Sequence, residues 1–333
     1  MTRKPRSGSL LVTSLSLVAI LAVLAVAIAR QLSLDVRLTR YRLALGQAKA
    51  LARGGVYLAM QRLARDDEGP DGNAYDWLGD DWASFPQADP DADPDWWLLP
   101  FPAEGHPAQR FSGQLRIRIT DEGRRLPLNQ ADHAQLTRLT GEASLAQVII
   151  DARDEPDAAE DRPGEAPPYF AKNGPFVAPE ELGELPGMTP DAYETLRSST
   201  SPCPTATEPL NLNTVTPEVL RAVGLSEGAI ELIRRFREGP DGSQAHEQDG
   251  IFTEAGLSIL QTLKDAQGVD LTGTDDGNLL ISAQFGVTSE VFTVTSEVVI
   301  ERPAARARVE AVIRRAGCGG GLPEPCLIDW REG

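Results

Sequence analysis

Carboxylates are the side chains of this sequence best placed to do chemistry, and the chemistry they suit is the holding of a hard cation. Thr274-Asp275-Asp276-Gly277-Asn278 gathers Asp275, Asp276 and Asn278 into one short turn, and Asp66-Asp67-Glu68 is followed closely by Asp71, Asn73 and Asp76. Calcium takes several oxygen ligands from flexible acidic loops, so both stretches are candidates for it. Neither has the spacing of an EF-hand, and an acidic, solvated turn is the plainer reading of each. Other chemistries find less. His106, His133 and His246 lie far apart with no ligand spacing, which supports neither a zinc site nor a histidine-based triad. No G-x-S-x-G nucleophile signature occurs, and solvation accounts for the many carboxylate pairs, so the chain does not read as an enzyme. Cys318 and Cys326 bracket a Gly- and Pro-rich segment and could close it as a disulfide outside the cytoplasm. Pairing of Cys203 with either one is the rival arrangement.

The elements that would position these groups begin with an apolar run. Ser9 to Ala29 carry no charge, and at 1.5 Å per residue they reach about 30 Å, the hydrocarbon thickness of a bilayer. Arg3, Lys4 and Arg6 precede the run with no acid among them, which directs the N-terminus to the cytoplasm. Three fates compete for this segment: a permanent anchor, a secretory signal cut after Ala27-Ile28-Ala29, or a prepilin-type leader cut between Gly8 and Ser9. The residues beyond it favour the leader. Leu34, Leu38, Tyr41, Leu45, Ala48, Ala52, Gly55 and Ala59 recur in steps of four and three, one stripe of an amphipathic helix suited to packing on partner helices. No Pro or Gly interrupts the chain between Ala29 and Leu34, so residues 9–65 are expected to form a single helix.

The 333 residues carry a formal net charge of −17, and loss of a basic leader would make the product more acidic still. Such a chain repels nucleic acid and anionic lipid surfaces. Residues 66–120 begin as an Asp-, Pro- and Trp-rich loop with a helical turn around Trp77 to Ser84, its tryptophans serving as anchors. Leu115, Ile117 and Ile119 then alternate with Arg116 and Arg118, a half-buried strand. Residues 121–276 turn helical. Leu128-Asn129, Leu136, Leu139, Ile149 and Arg153 recur as Leu212-Asn213, Leu220, Val223, Ile233 and Arg237, a duplicated helix-hairpin-helix unit with Asn or Thr as N-caps. Residues 277–333 alternate again as an antiparallel hairpin around Arg302-Pro303. The expected class is therefore α+β: a long N-terminal helix packed on a small antiparallel sheet, with a large inserted α-helical domain.

Helix-hairpin-helix units often bind DNA phosphates through a tight Gly-x-Gly turn followed by basic residues. Here the turns read Gly224-Leu225-Ser226-Glu227-Gly228 and Pro186-Gly187-Met188, without that turn and without a following lysine. Structural or protein-contact use is favoured, and a membrane-anchored DNA-binding protein stands as the alternative.

In this order the residues resemble a known family, the minor pseudopilin K of type II secretion. The resemblance is carried by Gly8-Ser9 before the apolar run, Tyr75-Asp76-Trp77-Leu78 with Trp82-Ala83, and Thr120-Asp121-Glu122-Gly123-Arg124 with Leu128-Asn129. Glu181-Leu182 with Pro186-Gly187-Met188, Leu210-Asn211-Leu212-Asn213-Thr214 and the final hairpin complete it. The fifth position after the leader, ordinarily Glu in pilins, is Thr13, a departure the family shares. The sequence differs from the family where Pro127 stands in place of the more usual Asn. The resemblance implies a pseudopilin fold with a helical insertion, processing and N-methylation by the prepilin peptidase at Gly8 and Ser9, and a single pass of the inner membrane with the head in the periplasm. It implies a tip position above the major pseudopilin, in complex with minor pseudopilins I and J, and calcium in the periplasmic domain. It implies no nucleic acid partner.

Overall fold

The computed structural model describes residues 7–66, 75–83, 96–101, 112–154, 172–203, 209–244, 248–315 and 325–333. Helix α1 runs unbroken from Ser7 to Asp66, 60 residues, or about 90 Å at the α-helical rise. It is long and apolar enough to cross a membrane, and none of its most apolar stretch is buried among the described residues. Ser14 and Ser16 return their hydroxyls to the carbonyls of Leu11 and Val12, so these polar side chains enter the apolar run already hydrogen-bonded.

The lower half of α1 lies across a five-stranded antiparallel sheet of order β1-β2-β7-β8-β9. The strands are β1 (Trp97–Phe101), β2 (Gly113–Asp121), β7 (Val291–Glu301), β8 (Ala304–Arg314) and β9 (Cys326–Glu332). One sheet face carries Leu115, Ile117, Phe292, Val294, Ala307, Ala311 and Ile313, all buried against Ala44, Ala48, Ala52, Val56, Ala59 and Leu63 of α1. Alanine on both surfaces brings the helix axis close to the sheet. Trp82 is buried in the same core, edge-on to Phe292 with ring centroids 5.0 Å apart.

Two strands were not visible in the sequence pattern. The expected loop contains β1, an edge strand pairing Trp97 with Ile117 and Phe101 with Gly113. Pro100 is tolerated there because an edge strand needs only half its N–H groups. The segment after the hairpin contains β9, which pairs with β8 across a bulge at Val312 and Ile313. The expected helical turn near Trp77 is a pair of hydrogen-bonded turns, Asp80 to Trp77 and Ala83 to Asp80; Ser84 lies outside the described residues.

Between β2 and β7 sits the insertion, with a core of its own. Its duplication is real in three dimensions. The first unit is β3 (Leu126–Pro127), α2 (His133–Thr140), α3 (Ala143–Arg153), α4 (Pro190–Ser199) and β4 (Thr200–Ser201). The second is β5 (Leu210–Asn211), α5 (Pro217–Val223), α6 (Glu227–Glu238), α7 (Leu257–Gln267), α8 (Asp275–Leu280) and β6 (Phe285–Gly286). Each unit is closed by a parallel pair, β3 with β4 and β5 with β6. The insertion thus ends at Gly286, beyond the expected residue 276.

Asn129 and Asn213 are not the N-caps they were expected to be. Asp132 caps α2 with a full capping box, and Thr216 precedes α5 without a side-chain cap bond. Each asparagine instead grips one phenylalanine's backbone. Asn129 accepts from Phe176 N at 2.8 Å and donates to Phe176 O at 2.9 Å; Asn213 does the same with Phe252 at 2.8 and 2.9 Å. Arg153 and Arg237 are likewise equivalent, donating into their own unit's turn at Ala131 O and Val215 O. The two units are tied by Arg138, whose Nη1 donates to Ala222 O at 2.8 Å.

Candidate functional site

The densest chemistry lies where the two cores meet. The end of α1 brings Asp66, the following turn Asp76 and Asp80, and the end of β2 Asp121. The start of the second unit brings Asn211 and Thr214, the approach to β7 brings Ser289, and the residue after β8 is Arg315. Asp76 and Asp121 are each only 1% exposed. Arg315 holds Asp76 with two bonds, at 2.5 and 2.7 Å, and Asp66 with one at 3.0 Å. Ser289 N donates to Asp76 Oδ2 at 2.6 Å.

Asp121 is caged by hydroxyls and amides. Its Oδ2 accepts from Ser289 Oγ at 2.8 Å, Asn211 Nδ2 at 3.3 Å and the Thr214 hydroxyl, while Oδ1 accepts from Gly123 N at 2.7 Å. Asp80 Oδ2 takes the Trp77 amide at 2.9 Å and the Trp82 indole N–H at 3.3 Å.

Burial dominates the electrostatics. It pushes Asp66 up to about 7, with Asp80 and Asp76 adding to the rise and Arg315 opposing it. It raises Asp80 to about 6 against the Trp77 and Trp82 donors, and Asp121 to about 6 against the Thr214 and Ser289 hydroxyls. Oxygens of Asp66, Asp76 and Asp80 lie within 4.8 Å of one another, facing one guanidinium among three carboxylates. An all-oxygen set with surplus negative charge fits a hard cation such as calcium.

The sequence-named residues fall in different places. Asp76 is in this junction, and Asp71 lies outside the described residues. Asp275, Asp276 and Asn278 are remote from it, in the first turn of α8. There Asp276 is already engaged, accepting from Ser226 N at 2.8 Å and Ser226 Oγ at 2.6 Å, which fixes α8 to the start of α6. The backbone N–H of Asn278 donates to Thr274 O. Asp80, Asp121 and Arg315 were missed as site residues; they are brought together only by the fold, and no local spacing announces them.

The docking stripe divides. Ala48 and Ala52 are wholly buried under the chain's own sheet, which corrects their assignment to partner packing: they are the small residues that let α1 approach its own strands. Leu45 is half-buried. Leu34, Leu38 and Tyr41 continue the same face above the sheet and are 64%, 46% and 45% exposed. Gly8 and Ser9 lie in the first turns of α1. Cys326 is disulfide-bonded, Cys203 is a half-buried thiol, and Cys318 lies outside the described residues.

No protein-family model matches the chain, and no curated protein does. A solved structure does. A chain of the crystal structure of the GspK–GspI–GspJ complex from the enterotoxigenic Escherichia coli type 2 secretion system aligns over 89% of this chain and 99% of its own length. The TM-score is 0.62 at 17% identity. The fold is that of GspK. The α+β class, the long first helix and the inserted helical domain all agree with that likeness. At this identity the agreement is one of architecture.

Proposed function

We propose that the protein is a minor pseudopilin of a type II secretion machine, held in the inner membrane by residues 9–29 and carrying its head in the periplasm. The observation that supports this most is the alignment along almost all of both chains with a GspK-type fold, in a crystal of GspK with GspI and GspJ. Pseudopilins I and J are then the expected neighbours, and the prepilin peptidase the processing enzyme, cutting between Gly8 and Ser9. Thr13 in place of the glutamate that pairs with an adjacent subunit's amine suits a protomer with no neighbour above it. The insertion adds a second core beside the sheet, a width that suits the tip better than a place among stacked subunits. These features together support a capping and initiating role above the major pseudopilin.

Calcium is proposed at Asp66, Asp76 and Asp80, where it would offset charge that Arg315 leaves uncompensated. The residues hold the ion; no step of chemistry follows from it.

Partner contact is assigned to Leu34, Leu38 and Tyr41, the uncovered continuation of a face that is otherwise closed. Leu38→Asp puts a charge into that face more than one helical turn above Ala44, where the sheet's cover begins to close over the helix. Co-purification with I- and J-type pseudopilins is expected to be lost while the melting temperature of the head stays unchanged. Retained co-purification would remove the docking assignment. N-terminal sequencing of the native protein is expected to begin at Ser9; a start at Arg30 would remove the pseudopilin reading itself.

A further inference from the structure

The net charge of −17 hides a local reversal of sign just beyond the apolar run. Residues 30–53 carry six basic side chains and one acid, Asp35. Two of the six belong to the head: Arg53 is bound to Glu332 at 2.7 Å, and Lys49 lies near the same carboxylate. The other four, Arg30, Arg37, Arg40 and Arg42, are exposed, and none is paired with a carboxylate among the described residues.

Their heights follow from the helical rise. Arg30 directly follows the uncharged run, and Arg37, Arg40 and Arg42 stand about 10, 15 and 18 Å above it. A headgroup layer is about 5–7 Å thick on each side of a bilayer. The long arginine stems can bend down along the helix and leave their charged ends in that layer, and the field of the upper pair extends a further 8–10 Å or about one screening length. Arginine and lysine are ordinarily depleted on the exported side of a span. Four within the thirteen residues 30–42 run against that bias, and an anion on that side would offset them.

We propose that Arg30, Arg37, Arg40 and Arg42 form a collar that binds the headgroups of anionic phospholipids in the leaflet beneath the head. The proposal rests on the reading of residues 9–29 as held in the membrane. The placement of the arginines around α1 favours lipid over an acidic protein partner. Arg37 lies within about 20° of Arg30, Arg40 about 80° to one side and Arg42 about 120° to the other. A partner helix meets one face, and Leu34, Leu38 and Tyr41 occupy the face between Arg37 and Arg42. A lipid surface surrounds the helix and reaches all four. The acidic head does not cancel the attraction. The sheet's cover begins at Ala44, about 20 Å above Arg30, so most of its charge is screened from the headgroups.

The test reconstitutes the full chain in phosphatidylcholine bilayers with a trace of spin-labelled phosphatidylglycerol or spin-labelled phosphatidylcholine. Electron paramagnetic resonance reads the fraction of each label held at the protein surface. At low salt the anionic label should be held about fivefold more strongly than the neutral one, the effect of one arginine at its headgroup. In 1 M salt, where the screening length falls to about 3 Å, the preference should be lost. Arg30→Gln/Arg37→Gln should lower it about threefold or more while the neutral label is held as before. Lys49→Gln removes the same kind of charge about 28 Å above Arg30 and should leave the preference unchanged. A preference that survives the double variant, or that Lys49→Gln reduces equally, would overturn the proposal. Equal holding of both labels by the parent would overturn it in favour of an acidic protein partner. The neutral label reports the span without its charge: if neither lipid is held, residues 9–29 are not in the bilayer, and the membrane reading falls together with the collar.

Discussion

Gly55→Val is expected to unseat the long helix from its sheet. A β-carbon at this position would lie 2.2 Å from Ser296 Oγ and 3.1 Å from Leu115 Cδ1, both in the core beneath the helix. Valine adds two methyl groups to that collision. Overpacking a closed core costs about 1–3 kcal/mol, and at the centre of the helix–sheet contact the upper end of that range is expected. The gain from replacing a helical glycine, at most about 1 kcal/mol, does not offset it. A drop of several degrees in the melting temperature, followed by near-UV circular dichroism in detergent, would show the effect.

Ser296 supplies the control for that experiment. Its hydroxyl is buried without a hydrogen-bond partner, so Ser296→Ala alone should stabilise, by about 1 kcal/mol. In that background Gly55→Ala loses the 2.2 Å collision and keeps only tight contacts, with Leu115 Cδ1 at 3.1 Å and the residue-296 β-carbon at 3.2 Å, and should lose much of its cost. Equal penalties for Gly55→Ala with and without the serine would mean that α1 does not lie on β7 at this register.

The long helix and the three interior strands β2, β7 and β8 were legible because each obeys one period over many residues. Leu115, Ile117 and Ile119 alternate strictly, and the apolar run of α1 carries no charge from Ser9 to Ala29. The alanine stripe was legible as a stripe but not as to its partner. Periodicity says which residues share a face, and only the position of the sheet says that Ala48 and Ala52 are covered by it while Leu38 is not. The strands β1 and β9 escaped because each is a sheet edge of five to seven residues, with one neighbour and a mixed pattern. The duplication was visible in the recurrence of Asn and Arg, yet its meaning was not. An asparagine ahead of a helix suggests a cap, whereas Asn129 and Asn213 reach about forty residues or more along the chain to clamp Phe176 and Phe252. The acidic junction was least legible of all. Asp76 stood out in an acid-rich loop, but Asp121 and Arg315 come from strand ends separated by the whole insertion.

Stability at that junction should fall as pH rises. Asp121 is raised to about 6 and Asp66 to about 7 in the folded protein, against about 4 for an unfolded aspartate. The folded state therefore holds more protons than the unfolded state between about pH 4 and 7. Unfolding free energy declines wherever the native state binds more protons, so the contribution is complete below about pH 4 and lost as pH passes the folded values. For fully buried Asp121 the change is on the order of 3 kcal/mol across the window. Asp121→Ala should consequently cost more at pH 5 than at pH 8. At pH 5 it orphans the Thr214 and Ser289 hydroxyls and the Asn211 amide, about 1–3 kcal/mol for each group left unsatisfied. At pH 8 the same change also removes a buried charge. Thermal melts at the two pH values, in parent and variant, measure both effects, and an unchanged or rising melting temperature in the parent would refute the linkage. Calcium provides the decisive addition. Binding at Asp66, Asp76 and Asp80 requires their ionised forms, so the metal should raise the melting temperature at pH 8 far more than at pH 5. Asp80→Asn should abolish that rise while leaving the pH dependence of Asp121 in place, and a calcium response that survives Asp80→Asn would move the ion to another site.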